Sequence, residues 1–405
     1  MSSNIRLDLI NFLLADVRGG LGPYVGIFLL GHAHWDHATI GLVLTVSGLV
    51  GISLHAPIGA FIDATRHKRA LLVGGVTALA AAAVAIVEAP TLPVVLAADI
   101  VMAVLGAVFA PSVAAITVGL VVAAGQLAPR LARNAACDRA GNIAAAATAG
   151  FAGWALSLEA VFYLVPVFAL LTSAAVLSIP AAAIDHDRAR GFVGDAARVD
   201  HPHAESWRAM LRHRPLLALA GGMALFHFAN APVLLLLGLE LEQRHPATVT
   251  LLMSSAIVAG QLASIPVALL VGARADRWGR KPLLLLGLAA LPARALLYAL
   301  TDHPAWIVAG QLLDGVSLGT LDALLALILA DIMRGTGRYN AARGVVGTVQ
   351  GIGGSASNVV VGFVVVGAGY AAAFATLAAV ATAAFALVLL VLPETRPQQA
   401  AAAPG

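Results

Sequence analysis

Residues 272–282 read Gly-Ala-Arg-Ala-Asp-Arg-Trp-Gly-Arg-Lys-Pro and lie between two long apolar runs. Residues 59–69 read Gly-Ala-Phe-Ile-Asp-Ala-Thr-Arg-His-Lys-Arg, again between apolar runs. Both begin Gly-Ala, place an aspartate four residues after that glycine (Asp63, Asp276) and continue into a basic cluster. The spacing 276 − 63 is 213, about half of the 405-residue chain. A charged loop that recurs at half-length in an otherwise apolar chain implies an internal duplication.

The composition says where such a chain lives. It is 60% hydrophobic and 11% charged, with a mean hydropathy of +0.91, whereas a soluble protein carries about 25% charged residues. The chain is therefore a polytopic membrane protein, and the lipid bilayer is its first partner. Cys137 is the single cysteine, which excludes an intrachain disulfide. The first apolar run starts near Leu9 and continues past Phe28. That is too long for the short core of a signal peptide, so it reads as an uncleaved membrane helix.

A spanning helix needs about 20 mainly apolar residues. Twelve runs qualify: 9–31, 40–62, 70–88, 93–122, 139–157, 160–183, 215–238, 249–271, 282–300, 306–330, 345–366 and 371–393. The longest connection, 184–214, is rich in charge and histidine and divides them six and six. The expected fold is all-α, with an N-terminal six-helix bundle over 1–183, a cytoplasmic linker over 184–214, a C-terminal six-helix bundle over 215–395 and a cytoplasmic tail over 396–405. Lys and Arg are retained on the cytoplasmic side. With a cytoplasmic N-terminus, Arg244 alone falls outside and Arg18 and Arg294 fall within runs; every other basic residue is cytoplasmic. Both termini are thus expected inside a plasma (inner) membrane. Basic residues that track one membrane face leave no groove for nucleic acid.

The halves repeat beyond the loop. At the offset of 213, Gly106 pairs with Gly319 and Asp99 falls on Leu312, close to Asp314. Further on the offset drops to 206, where Asn134-Ala-Ala pairs with Asn340-Ala-Ala and Gly141 with Gly347. Two similar halves suggest a pseudo-twofold axis along the membrane normal with a cavity between them.

The paired loops resemble the G-x-x-x-D-R-x-G-R-K motif of the major facilitator superfamily. The second copy matches through Gly272, Asp276, Arg277, Gly279, Arg280 and Lys281. The first keeps Gly59, Asp63 and Lys68, but has Ala64, Arg66 and His67 where the motif has Arg, Gly and Arg. The resemblance implies a bacterial 12-helix transporter whose cavity is lined mainly by the first, fourth, seventh and tenth runs. The motif itself has a physical role. A glycine near the end of each preceding run permits close helix approach. The aspartate can sit at a neighbouring helix N-terminus, and the basic residues can pair with nearby acids. Together they would form a latch on the cytoplasmic side.

Ionisable groups inside a bilayer are costly and rare, so each is a functional candidate. The first run holds Asp16 and Arg18, about 200° apart around a helix, so each needs another partner. The fourth holds Asp99 and the tenth Asp314 and Asp322. A carboxylate in a low-dielectric cavity can bind and release a proton near neutral pH. Asp314 and Arg294 lie at comparable distances from the 301–305 turn, which also suits a buried ion pair. The seventh run reads Phe226-His227-Phe228-Ala229-Asn230-Ala231-Pro232. His227 titrates in the physiological range, and Pro232 frees a carbonyl and marks a bend. Asn230, Gln261 and Gln350, with Asn142 and Asn358, add uncharged polar groups.

His32, His34, Asp36 and His37 are suitable zinc or copper ligands. They share one short loop with no second shell in view, and neither a metal nor a cofactor is expected. No G-x-x-x-x-G-K-[ST] phosphate loop occurs, so ATP does not drive the protein directly. The expected activity is secondary transport of a small solute by alternating access, not catalysis, with protons as the coupling ion and a monomer as the working unit. Direction stays open between efflux by proton antiport and uptake of an anionic metabolite by symport. The fifth run, Gly141 to Gly153, lacks the proline of the drug-antiporter pattern. A membrane metalloenzyme and a non-transporting solute sensor are the remaining readings. In a Cys137→Ser background, single cysteines at Arg66 and Arg277 should be labelled from the same side of sealed vesicles; labelling from opposite sides would remove the duplication.

Overall fold

The computed structural model describes residues 3–19, 21–120, 127–185, 212–301, 303–333 and 339–396. The side chains of residues 3, 16–19, 55, 56, 59, 60, 63, 64, 127–129, 131, 132 and 339–341 also lie outside the described set. Every described element is helical. Hydrocarbon offers backbone N–H and C=O groups no partner, and a helix satisfies them within its own segment.

The helices are α1 (Ser3–Gly19), α2 (Gly22–Gly31), α3 (His37–Ala64), α4 (Lys68–Glu88), α5 (Leu92–Leu120), α6 (Leu127–Ala155), α7 (Leu158–Leu177), α8 (Arg214–Asn230), α9 (Val233–Arg244), α10 (Val249–Trp278), α11 (Arg280–Leu300), α12 (Pro304–Ile332) and α13 (Tyr339–Val391). By length and apolar composition, nine described segments could cross a membrane. The difference from twelve runs has local causes. The first run is divided between α1 and α2. α6 begins in a polar stretch with Arg130, Arg133, Asp138 and Arg139. The last two runs are continuous in α13 except at Gly369, whose φ of 83° and ψ of 176° are not helical. Gly369 falls in the interval between those runs, where only glycine takes such angles freely.

The helix starts refine the repeat. The differences 249 − 37 (α10, α3), 280 − 68 (α11, α4) and 304 − 92 (α12, α5) are each 212. The offset of 213 read from the loop motif is therefore one residue too long for the helices. At 212, Asp99 corresponds to buried Gln311 rather than to Leu312. Contacts repeat at the same spacing. Arg69 donates to the Leu177 carbonyl at 2.9 Å, and Lys281 donates to the Leu389 carbonyl at 2.7 Å. Small residues pack with roles exchanged: a Cβ on Gly51 would lie 3.1 Å from the Ala103 Cβ, and one on Gly315 would lie 2.5 Å from the Ala263 Cβ.

The chain forms two compact units. One comprises Met1–Val199, Leu234–Val258 and Asn358–Val366. Within it α2 and α6 receive α9 and the start of α10: Gly26 abuts Leu235, and Gly150 and Gly153 abut Ser254 and Thr250. The other comprises Asp200–Val233, Ala259–Ser357 and Gly367–Gly405. Its interior is a continuous apolar cluster around Phe226, Leu284, Leu321 and Leu324. Leu269, Leu300 and Leu390 are more than 70% exposed; in a membrane these face acyl chains.

Gly319, at which a Cβ would come 2.5 Å from the Ser264 carbonyl oxygen, has no slack, whereas a Cβ on Gly106 would meet nothing within 4 Å. Gly319→Ala should cost about 1–3 kcal/mol by overpacking and lower the unfolding temperature in detergent. Gly106→Ala should not lower it. Equal behaviour of the two variants would refute this packing.

Candidate functional site

Three helices of the second unit enclose a cavity of about 320 Å³. α8 contributes His227, α12 contributes Asp322 among leucines and Ala326, and α13 contributes Arg343 and Gln350. His227 Nδ1 lies 3.0 Å from the Met223 carbonyl. A carbonyl only accepts, so Nδ1 carries the proton and Nε2 is the nitrogen left for other partners. The cavity therefore combines an imidazole, a carboxylate, a guanidinium and an amide on an apolar lining. The sequence placed His227, Asp322 and Gln350 on three separate runs; the structure brings them together.

A second cluster lies deeper in the same unit. The Arg294 side chain is 1% exposed and Asp314 is nearly as buried. Arg294 donates one terminal nitrogen to the Asp314 carboxylate and the other to the Asn230 side-chain oxygen. Arg294 Nε and Gln311 Nε2 are buried without a hydrogen-bond partner among the described residues. Gly260 faces this cluster, its Cβ position 3.6 Å from Asp314 Oδ2. Gln261, by contrast, is half-buried and is absent from the cavity lining; its carbonyl accepts from Ser264 at 2.9 Å.

In the first unit Asp99 is buried and accepts from the Ser47 hydroxyl. A smaller cavity of about 170 Å³ between α1, α5 and α6 is lined by Asn11, Asn134 and Asp138 among small apolar residues. Asn134 donates to Thr117 at 2.8 Å and accepts from Arg130. Arg130 and Arg133 both bind Asp8, at 2.5 and 2.6 Å. Asp8, Arg130 and Asn134 were not read from sequence as site residues, although Asn134 marks the internal repeat. Their signal was the one-turn spacing of Arg130 and Asn134, but the arginines read as topology anchors. Asp16 and Arg18 lie in α1 with side chains outside the described residues, and the surroundings of Gly59 and the side chain of Asp63, both in α3, lie outside them too.

The loop motif acts within its own unit. Gly279, with φ of 93°, precedes α11, and a Cβ there would come 2.6 Å from Glu394 Oε2. Glu394 accepts from the backbone amides of Arg280 at 2.9 Å and Lys281 at 3.2 Å, where the positive end of a helix favours an anion. Burial alone would push this carboxyl up, but the amides of Arg396, Arg280 and Lys281 outweigh it and hold it below its ordinary value. The N-terminus of α11 is thus covered by Glu394, while Asp276 pairs with the Arg280 side chain at 2.7 Å. Arg280 also reaches Asp331 at 3.1 Å, and the backbone carbonyl of exposed Arg277 accepts from Arg396. Gly272 departs from its expected part: α10 runs on to Trp278, and a Cβ on Gly272 would meet nothing within 4 Å. In the first copy Lys68 is buried and donates to the Thr65 carbonyl at 2.7 Å, while Arg66 is exposed.

The histidine loop is dispersed over separate partners. His32 lies 3.1 Å from Glu159, Asp36 caps α3 by accepting from the Thr39 amide at 2.9 Å, and His37 lies 3.4 Å from Gln243. Among the described residues no three such side chains are placed to hold a metal ion.

Comparisons with known proteins agree with this geometry. Residues 7–265 and 228–405 each match the family model described as Major Facilitator Superfamily. An uncharacterised MFS-type transporter of Mycobacterium tuberculosis, in strains CDC 1551 / Oshkosh and H37Rv, is 44% identical over 389 residues, covering 96% of this chain and 93% of that protein. Among solved structures, a mutant form of the nucleoside transporter NupG superposes with a TM-score of 0.81 at 14% identity, covering 97% of this chain and all of that one. A POT family transporter in complex with a thioalcohol-conjugated peptide superposes with a TM-score of 0.76 at 11% identity, covering 96% and 95%. The paired loops, the helical architecture and the family match together establish that this chain belongs to the Major Facilitator Superfamily and is a membrane transporter of solutes.

Proposed function

We propose that the protein is a proton-coupled secondary transporter of a small polar solute, with the α8–α12–α13 cavity as its solute and proton site. One observation carries this reading: His227 and Asp322 line the same cavity of about 320 Å³, with Arg343 and Gln350 beside them. Titratable groups are expensive inside a membrane and concentrate where ions or substrates pass. An imidazole and a carboxylate together can take up and return a proton, and the guanidinium and amide supply donors for the solute. The lining is otherwise leucine and alanine, so these few groups fix orientation. Asp99 is the second proton candidate, since its partner Ser47 is neutral.

Transport rather than catalysis is supported by the family match over most of the chain. The protein works by alternating access as a monomer in the inner membrane, with both termini cytoplasmic. The distribution of Lys and Arg supports that orientation.

Asp314 has a different part, since its charge is spent on Arg294. Removing one member of a buried pair costs about 3–5 kcal/mol, so Asp314→Asn should lower the unfolding temperature strongly. A thermal-shift screen of purified protein against metabolites at two pH values identifies the solute by the stabilisation that binding confers. Uptake of that solute into proteoliposomes should then rise with an imposed pH gradient, and Asp322→Asn should reduce the gradient-driven part at least tenfold. Uptake indifferent to the gradient would defeat the proton reading, and full gradient-driven uptake by the variant would defeat the site.

A further inference from the structure

The cavity between α8, α12 and α13 has two chemically different ends. Asp322 is ten residues before the end of α12 at Ile332 (332 − 322), Gln350 is eleven after the start of α13 at Tyr339 (350 − 339), and Arg343 is four after it (343 − 339). Helices joined by a short connection run in opposite senses. At about 1.5 Å per residue, Asp322 and Gln350 lie about 15 and 17 Å along their helices from that connection, and Arg343 about 6 Å. Asp322 and Gln350 thus share one end of the cavity, and Arg343 holds the other, about 10 Å away. Side chains tilt toward the N-terminus of their own helix. In two helices of opposite sense this carries the carboxylate and the guanidinium apart. Both residues are exposed, so an entering solute meets both charges.

The Asp322 end is rich in acceptors. It offers the carboxylate, the Gln350 amide oxygen and the Nε2 of His227, whose Nδ1 is turned to the Met223 carbonyl. His227 is near enough to Asp322 for their charges to interact. A primary ammonium has three N–H donors and no acceptor, so three acceptors from three helices match it. The other end is a planar fork of donors, which binds a carboxylate through two parallel hydrogen bonds. Between the ends the lining is apolar, with Leu321, Leu325 and Val346. Gly347 lies one turn from Arg343 and one from Gln350 on the same face of α13. A Cβ there would meet nothing within 4 Å, which leaves an open strip from one end to the other.

We infer that the cavity takes an elongated zwitterion, with a primary ammonium at the Asp322–His227–Gln350 end, a carboxylate on Arg343 and an apolar chain lying over Gly347. This names the solute class of the site proposed above and rests on that reading. Charge-assisted hydrogen bonds of about 2.8 Å at each end leave roughly 4 Å between the charges of the solute. An α-amino acid carries both charges on one carbon and falls short of that span, whereas a straight chain such as 5-aminopentanoate covers it. Size agrees: at the roughly 30 Å³ that a water molecule occupies in the liquid, about 320 Å³ holds about ten non-hydrogen atoms.

The test is equilibrium binding to the purified full-length protein in detergent, with straight-chain ω-amino acids from glycine to 8-aminooctanoate as probes. Affinity should peak between 4-aminobutyrate and 6-aminohexanoate, with glycine at least tenfold weaker. Pentylamine and pentanoate, which each keep one charge of 5-aminopentanoate, should also bind at least tenfold more weakly than it does. Arg343→Gln should weaken 5-aminopentanoate at least tenfold without weakening pentylamine further. Asp322→Asn should do the same to 5-aminopentanoate without weakening pentanoate further. Gly347→Leu should abolish binding, whereas Gly344→Leu, also at a glycine with open surroundings but outside the cavity lining, should keep it. Should Gly347→Leu fail to fold, the two charge variants carry the decision. Absence of binding across the series, equal affinity for pentylamine, or wild-type affinity in both charge variants would overturn the zwitterion. A solute of another class whose gradient-driven uptake falls in Asp322→Asn would also overturn it, while leaving the transport site standing. Binding of 5-aminopentanoate with the expected variant pattern but no gradient-driven uptake would keep the zwitterion site and reject the proton coupling.

Discussion

Hydrocarbon supplies no hydrogen-bond partners, and every other feature of this protein follows from that constraint. It forces the backbone into helices and makes each interruption and each buried charge an expense that some other group must offset. Where α8 breaks before Pro232, the Asn230 side chain is engaged by Arg294. Where Arg294 is buried, Asp314 neutralises it. The polar groups of the second unit are thus not scattered: the arginine engages the side chain beside the break, and the carboxylate makes the arginine tolerable.

The apolar runs were legible because hydropathy is a property of single segments. Each of the twelve runs overlaps a described helix, although nine described segments qualify as spans, and Gly369 marks the junction that the last two left open. The duplicated loop was legible too, but its register was not. Asp63 and Asp276 align at 213, whereas α4 and α11 start 212 residues apart, because α3 and α10 end differently before the turn. Motif spacing measures the loop, and helix starts measure the scaffold. The structure then shows that Arg69 on the Leu177 carbonyl and Lys281 on the Leu389 carbonyl hold the same place in the two halves.

What stayed hidden were contacts between residues far apart in sequence. Asp8 and Arg130 are 122 residues apart, and Glu394 sits on the α11 N-terminus 114 residues from Arg280. No periodicity encodes such pairs, and each arginine taken alone reads as a membrane anchor. Gly272 shows the converse failure: the motif suggested crowding, yet its surroundings in this conformation are open.

The two cavities show how repeated scaffolds come to differ in chemistry. At the offset of 212, Ala110, Val113 and Ala114 of the first unit correspond to Asp322, Leu325 and Ala326 of the second. The same three helical positions line a cavity in each half, but a carboxylate occupies only one of them. Asn11 and Asn134 in the first unit offer hydrogen bonds, with Asp138 as its carboxylate, while the second adds His227 and Arg343. Duplication therefore accounts for the architecture, and its local violations account for the chemistry. An alanine at position 110 costs a helix nothing, whereas an aspartate at 322 is retained in an apolar helix against its desolvation penalty. Titratable groups kept at such a cost concentrate where ions or substrates pass, which is why the proposed solute and proton site is drawn around Asp322 rather than around its alanine counterpart.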